Sequence, residues 1–314
     1  MKVYRGTEDL PSIEKPVITI GSFDGLHLGH QTILERIKEE AFQIGGETVV
    51  LTFDPHPRQI IYPKDQELRL LSTVEEKIEL FKEFNIDHLV IVEFTIAFSQ
   101  ISADEYIENF LIKKFHPSKI IIGYDHKFGL NRKGDIDYLK WFQEKGNFEV
   151  IEIPKQEIDE ITISSTKIRK AIQNKEMSKA ARLMGHPYQL FGKVIHGEHI
   201  GHTLGFPTAN LFVENKHKLI PTFGIYAAHV KVEERKFEAM LYIGDRPTLK
   251  NVDGRSIEIN IFDFNENIYG QFIQIEVLEH VRDDIKFEHL EQLKLQLQQD
   301  KRDSLEILKK YSTT

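Results

Sequence analysis

The chain of 314 residues contains no cysteine. That excludes a disulfide framework, a thiolate zinc site and a cysteine nucleophile. It also fits a reducing compartment, and a cytoplasmic setting is expected. No apolar run approaches the roughly 20 residues that a membrane-spanning helix needs. The N-terminus, MKVYRGTEDLPSIEKP, lacks the apolar core of a secretory signal. Positive charge is in deficit: 41 Lys and Arg against 49 Asp and Glu leave a net charge of -8. Attraction of the whole protein to nucleic acid or anionic lipid is therefore not expected. Neither nucleic acid nor membrane is an expected partner, and an anionic ligand must be met by locally concentrated charge. Internal repeats and low-complexity tracts are also absent.

What is present falls into two rhythms, and the length favours two domains. The first half alternates apolar strands with amphipathic helices. Strands are predicted at Val17–Gly21, Thr48–Phe53, His88–Glu93, Lys119–Gly123 and Phe148–Ile153. Ile33, Leu34, Ile37, Ala41 and Ile44 share one face of a helix stopped by Gly45-Gly46. Ser72 with Glu75, and Ser102 with Glu105, read as capping boxes, and Asp135 as the cap of a helix ending at Gly146. This alternation implies a Rossmann-like parallel sheet with helices on both faces.

The rhythm changes near residue 185. His186-Pro187 is a natural boundary, because the residue before proline is pushed out of helix. The predicted domains are therefore 1–185 and 186–314. Beyond the boundary, strands are expected at Tyr188–His196, Gly224–Val232, Lys236–Ile243, Ser256–Phe264 and Phe272–Glu279. Glu233-Glu234-Arg235 and Asn265-Glu266-Asn267 read as hairpin loops. An antiparallel β-barrel or sandwich follows, closed by a C-terminal helix carrying Leu290, Leu293 and Leu297.

The first strand runs into Gly21-Ser22-Phe23-Asp24-Gly25-Leu26-His27-Leu28-Gly29-His30 and then directly into a helix. Ligands of open α/β sheets bind beyond the carboxyl ends of the strands. A helix N-terminus there offers N–H groups and partial positive charge to phosphate. His27 and His30 can both donate to phosphate oxygens and so stabilise charge on a phosphoryl group in transfer. The ordinary alternative is a glycine-rich turn whose histidines are merely polar. A zinc reading of the histidines lacks the helical His-Glu-x-x-His motif, and the Walker phosphate pattern is also missing, since Gly192 to Gly197 is followed by Glu198. Downstream, Ser164 and Ser165 can cap a new helix with Arg169 one turn on. In Ser256–Phe264, Ile257, Ile259 and Ile261 take one face and Glu258 and Asn260 the other. Such a glutamate usually lies on a solvated face.

His-x-Gly-His after a first strand resembles the nucleotidylyltransferase superfamily. With Thr52-Phe53-Asp54-Pro55-His56-Pro57, Gly123-Tyr124-Asp125-His126-Lys127-Phe128-Gly129 and Ile163-Ser164-Ser165-Thr166-Lys167-Ile168-Arg169, the first half is similar to the FAD synthetase module of bacterial riboflavin kinase/FAD synthetases. Gly192-Lys193-Val194-Ile195-His196-Gly197 and Gly205-Phe206-Pro207-Thr208-Ala209-Asn210 resemble the riboflavin kinase module. The resemblance spans nearly the whole chain. It implies that ATP phosphorylates riboflavin to FMN and adenylylates FMN to FAD. It also implies site residues. Gly21, Phe23, Asp24, Gly29, Ser164, Ser165, Thr166, Gly192, His196 and Gly197 would bind ATP. His27, His30 and Arg169 would serve adenylyl transfer, and Glu258 would be the base for the ribityl hydroxyl. Asp125 and Arg282 would contact flavin, and Thr208 and Asn210 would hold Mg²⁺. Two departures are visible. The family often has Asp-Phe-Arg-Phe-Gly where this chain has Asp125-His126-Lys127-Phe128-Gly129, and arginine where it has His202. Another nucleotidylyltransferase would leave the second half without a task. A flavin-sensing regulator would be expected to lose Glu258 or the two histidines.

Overall fold

The computed structural model describes residues 1–64, 68–154, 163–197, 205–245 and 254–311, so His202 lies outside the described residues. The chain forms two compact units: Met1–Leu68 with Lys77–Ile163, and Arg69–Glu76 with Ser164–Thr314.

The first unit is a six-stranded, all-parallel sheet in the order β1-β4-β3-β2-β5-β6. Its strands are β1 (Lys2–Arg5), β2 (Val17–Ile20), β3 (Thr48–Asp54), β4 (His88–Glu93), β5 (Lys119–Gly123) and β6 (Glu149–Ile153). Alternate residues of the central strands face two layers. Ile18, Val49, Leu51, Val90 and Ile120 pack with Tyr106, Phe110 and Leu111. Val17, Val50, Leu89 and Ile121 are equally buried, and the helix Leu28–Ile44 lies against β2, β3 and β5. Burial on both faces explains the near-continuous apolar runs.

The second unit is a closed barrel in the order β10-β11-β8-β7-β12-β9. The strands are β7 (Tyr188–Ile195), β8 (Ala209–Phe212), β9 (Gly224–Val232), β10 (Arg235–Asp245), β11 (Arg255–Ile261) and β12 (Phe272–Arg282). The helix Leu290–Leu308 packs on its outside through Leu297, Leu305 and Leu308, against Ile225, Ala227 and Met240.

Three local expectations change. The capping box at the helix Val74–Glu83 uses Thr73 and Glu76: the Thr73 N–H donates to Glu76, and the Glu76 N–H to the Thr73 hydroxyl. Ser72 and Glu75 match the same pattern one residue earlier, but Glu76 is the carboxylate with buried partners. Asn265–Asn267 is not a hairpin loop, because β12 pairs with β7 and β9 rather than with β11. The Asp135-capped helix Ile136–Trp141 ends before Phe142, and a separate turn continues to Gly146. Glu233, at φ +54, does turn the β9–β10 hairpin.

Candidate active sites

In the sheet unit, β2 leads into a loop that reverses through positive φ at Phe23, Gly25 and Leu26 (+46, +82 and +38°). Two non-glycine residues in that region mark a backbone held by its surroundings. His27 is the N-cap of the following helix, yet its side chain makes no capping bond. The imidazoles of His27 and His30 stack with centroids 3.7 Å apart, and Phe23 presses edge-on against His30 at 5.2 Å. Burial, and after it the charges of His27 and Lys77, hold His30 well below the usual histidine range. That favours the neutral ring, which has one N–H to donate. Its buried Nδ1 has no hydrogen-bond partner among the described residues. Asp24, in the same loop, is buried too. Gly21 and Gly29 lie on either side of the turn, Gly21 donating its N–H to the Leu51 carbonyl at 3.0 Å.

Asp125 lies on the exposed turn after β5, the strand beside β2. Next to it, burial and then Arg132 push His126 down to about 4. Lys127 is engaged by Asp135 at 3.0 Å. Phe128 stacks on Tyr106 with centroids 4.9 Å apart. Ser164, Ser165, Thr166 and Arg169 belong to the other compact unit. As expected, Ser164 caps a helix, Ser165–Gln173, accepting from the Lys167 N–H. Arg169 donates to the Arg69 carbonyl at 2.5 Å.

The barrel unit places a second constellation. Cross-strand register lines up Ile225, Tyr242, Glu258 and Asn210. This row lies on the face of the barrel that the closing helix covers, so Glu258 is 8 % exposed and Asn260 6 %. The polar face of β11 is therefore not solvated. A helix laid on the outside of the barrel buries both faces of that strand. Thr208 and Ser256 donate to the two carboxylate oxygens of Glu258 at 3.4 and 3.3 Å. A cavity of about 220 Å³ is lined by Phe206, Thr208, Tyr242, Glu258, Asn260 and Arg282. Arg282 is held in its wall: Nε and Nη2 donate to the two oxygens of Asp300, both at 2.7 Å. Asp300 is fully buried and also accepts from Gln296 at 2.9 Å.

Other expected residues have more local explanations. A Cβ at Gly197 would run into the Asn210 amide, so the backbone there must approach that side chain closely. A Cβ at Gly192 would lie 2.5 Å from the Phe212 carbonyl oxygen, which accounts for that glycine by strand packing. Gly192 lines a different cavity, beside Phe191 and Phe272. His196 stacks on Tyr269 with centroids 3.9 Å apart. Sequence reasoning missed Asp300, the partner of Arg282, and the buried Lys77: each is a charged residue on the buried stripe of a helix, a pattern that shows burial and not what the charge meets.

A glycine- and histidine-bearing loop at the end of β2 in a parallel sheet, and a buried carboxylate beside a cavity on a barrel, are the arrangement of a candidate transferase with two sites. Comparison with known proteins narrows this. The family model for FAD synthetase matches residues 10–167, and the one for riboflavin kinase matches residues 184–308. A bifunctional riboflavin kinase/FMN adenylyltransferase of Listeria monocytogenes is 37% identical over 298 residues, covering 95% of this chain and 94% of its own. Enzymes of the same name are similar at 34% identity in Haemophilus influenzae (96% and 97% covered) and 31% in Escherichia coli K12 (96% and 96%). A crystal structure named as a macrolide-efflux protein of Streptococcus pneumoniae superposes with a TM-score of 0.83 at 31% identity, covering 96% and 98%. No helix among the described residues is long and apolar enough to cross a membrane. The chain belongs to the bifunctional riboflavin kinase/FMN adenylyltransferase family.

Proposed function

We infer that the chain makes flavin coenzymes in two steps and that each compact unit centres one of them. It phosphorylates riboflavin to FMN with ATP and adenylylates FMN to FAD with release of pyrophosphate. Glu258 is the base of the first step. It takes the proton of the ribityl hydroxyl as that oxygen attacks the γ-phosphorus, and ADP leaves. The observation that carries this role is the buried Glu258 carboxylate, hydrogen-bonded by Thr208 and Ser256 in the wall of a cavity. Arg282 faces the flavin in the same cavity.

Thr208 and Asn210 are the protein ligands for Mg²⁺. Their donor set is a hydroxyl and an amide close to a carboxylate, all oxygen, which suits an ion shared with phosphates and water. When bound, that ion neutralises phosphate charge. In the second step the FMN phosphate attacks the α-phosphorus of ATP. His27 and His30 donate to the phosphoryl oxygens, and Gly21, Phe23, Asp24 and Gly29 shape the loop. Ser164, Ser165, Thr166 and Arg169 supply further phosphate contacts, as His196 and Gly197 do in the kinase half, and Asp125 contacts the flavin. We assign adenylylation to 1–185 and phosphorylation to 186–314, in the cytoplasm, where ATP is at hand.

Incubating the protein with riboflavin, ATP and Mg²⁺ and separating products by chromatography tests this. FMN should appear first and FAD later. Neither product across a range of Mg²⁺ concentrations and under reducing conditions would refute it.

A further inference from the structure

Lys77 shares the buried stripe of its helix with Leu80 and Phe81, a position where an apolar residue is expected. It is 4 % exposed. Burying an ammonium is costly unless it is paired and hydrogen-bonded. Among the described residues its one hydrogen bond is a donation of 3.4 Å to the Thr52 hydroxyl. An ammonium has three donors, so two are left over.

The surroundings place this cation under the phosphate loop. Thr52, in the carboxyl-terminal half of β3, donates its hydroxyl hydrogen bond to the Ser22 carbonyl at 3.3 Å. Ser22 opens the loop that carries His27 and His30. The charges acting on Lys77 are those of Asp24 in the loop and Asp54 at the end of β3. Lys77 in turn acts on His30.

Two roles are open to such a residue. As a counter-ion for Asp24 and Asp54 it would be stabilised by the fold. However, among the described residues neither carboxylate is hydrogen-bonded to the ammonium, whose one contact of that kind is the long one to Thr52, and burial holds the ammonium below the usual lysine range. The fold thus keeps a charge that it does not fully compensate, and such groups gather where an ionic ligand completes them.

We propose that Lys77 is a phosphate-binding residue of the adenylyl-transfer site, its ammonium completing its donor set on the polyphosphate of ATP. This rests on reading the His27–His30 loop as that site. Lys77 forms no covalent bond to substrate and moves no proton. It is a fixed donor that strengthens as charge builds on the phosphoryl oxygens.

The test is Lys77→Met in the full chain, which keeps length and apolar bulk and removes the charge. FAD formation from supplied FMN should fall about 10²-fold, as for loss of one donor to a developing oxyanion. Phosphorylation of riboflavin should be unchanged. Unfolding is followed by circular dichroism and by Trp141, the one tryptophan of the chain, which lies in the sheet unit. Without ligand, the variant should melt no earlier than wild type. Inorganic pyrophosphate should raise the melting temperature of wild type and not of the variant. Wild-type FAD formation in the variant would overturn the proposal. So would earlier melting with the pyrophosphate effect retained, which marks a counter-ion. Failure of wild type itself to make FAD would instead refute the reading of the loop.

Discussion

The barrel unit contains a buried ion pair whose loss has a calculable cost. Lys218 donates to Glu76 at 2.5 Å and to the carbonyls of Leu71 and Gln189, both at 2.7 Å. Its ammonium also lies 4.4 Å from the Tyr188 ring centroid. Glu76 accepts from the backbone N–H groups of Thr73 and Phe191 at 2.8 and 2.9 Å. Both side chains are almost wholly buried. Glu76→Gln preserves shape but leaves the Lys218 charge uncompensated. Breaking one side of a buried pair typically costs about 3–5 kcal/mol. Burial already pushes the Glu76 carboxyl up, against the pull of Lys218 and two N–H groups, which takes back part of the pair's attraction. The lower end, about 3 kcal/mol, is therefore expected. At roughly 2–4 °C per kcal/mol for units of 150–250 residues, the barrel transition should drop by about 6–12 °C. Urea and thermal unfolding by circular dichroism measure it. The double variant Glu76→Leu with Lys218→Met should recover most of the loss, because a well-packed apolar replacement of a buried pair is often neutral. The same reasoning predicts that a fragment starting at His186, which lacks Glu76, is unstable until Lys218 is also replaced. A loss below about 1 kcal/mol for Glu76→Gln, or a double variant worse than the single one, would refute this reasoning.

Two further outcomes are expected. Asp300→Asn removes the charge that fixes Arg282 and should lower riboflavin phosphorylation by about 10- to 10²-fold, since small misplacements at a site cost that much. FAD formation from supplied FMN should be unchanged, and steady-state kinetics on each step separate the two. His126, held down at about 4, favours the fold when neutral. Its contribution is complete above about 6.5 and is lost as pH falls from there towards about 4. His126→Asn should therefore flatten the acid limb of sheet-unit stability, read by Trp141 fluorescence between pH 7 and 4. An unchanged acid limb contradicts that.

Much of the fold was legible in the sequence. Strands buried on both faces, such as Thr48–Asp54 and His88–Glu93, declare themselves as apolar runs. β1, with the sequence Lys2-Val3-Tyr4-Arg5, did not, because an exposed edge strand carries no such run. β8 is four residues inside a segment that also carries Thr208 and Asn210, too short for a period to show. The order of the barrel depends on long-range pairing, and hairpin rules alone place β12 wrongly beside β11. At the sites, glycines and histidines of the loop were visible as local motifs. Lys77 and Asp300 were not, because each joins its site through a helix distant in sequence, and only tertiary packing turns a charged residue in a buried stripe into a functional one.

The central claim is that two chemistries reside in two separate constellations, and product analysis of Glu258→Gln and His30→Ala tests it most directly. Both variants must first show native circular dichroism. Each is then given riboflavin or FMN with ATP and Mg²⁺, and flavins and nucleotides are separated by chromatography. Glu258→Gln should lose FMN and ADP formation by about 10²–10⁴-fold, the usual contribution of base catalysis, and still convert FMN to FAD with pyrophosphate. His30→Ala should accumulate FMN while FAD formation falls about 10²–10³-fold. Loss of both reactions in folded Glu258→Gln, or loss of phosphorylation in His30→Ala, would contradict the account and point to one shared site.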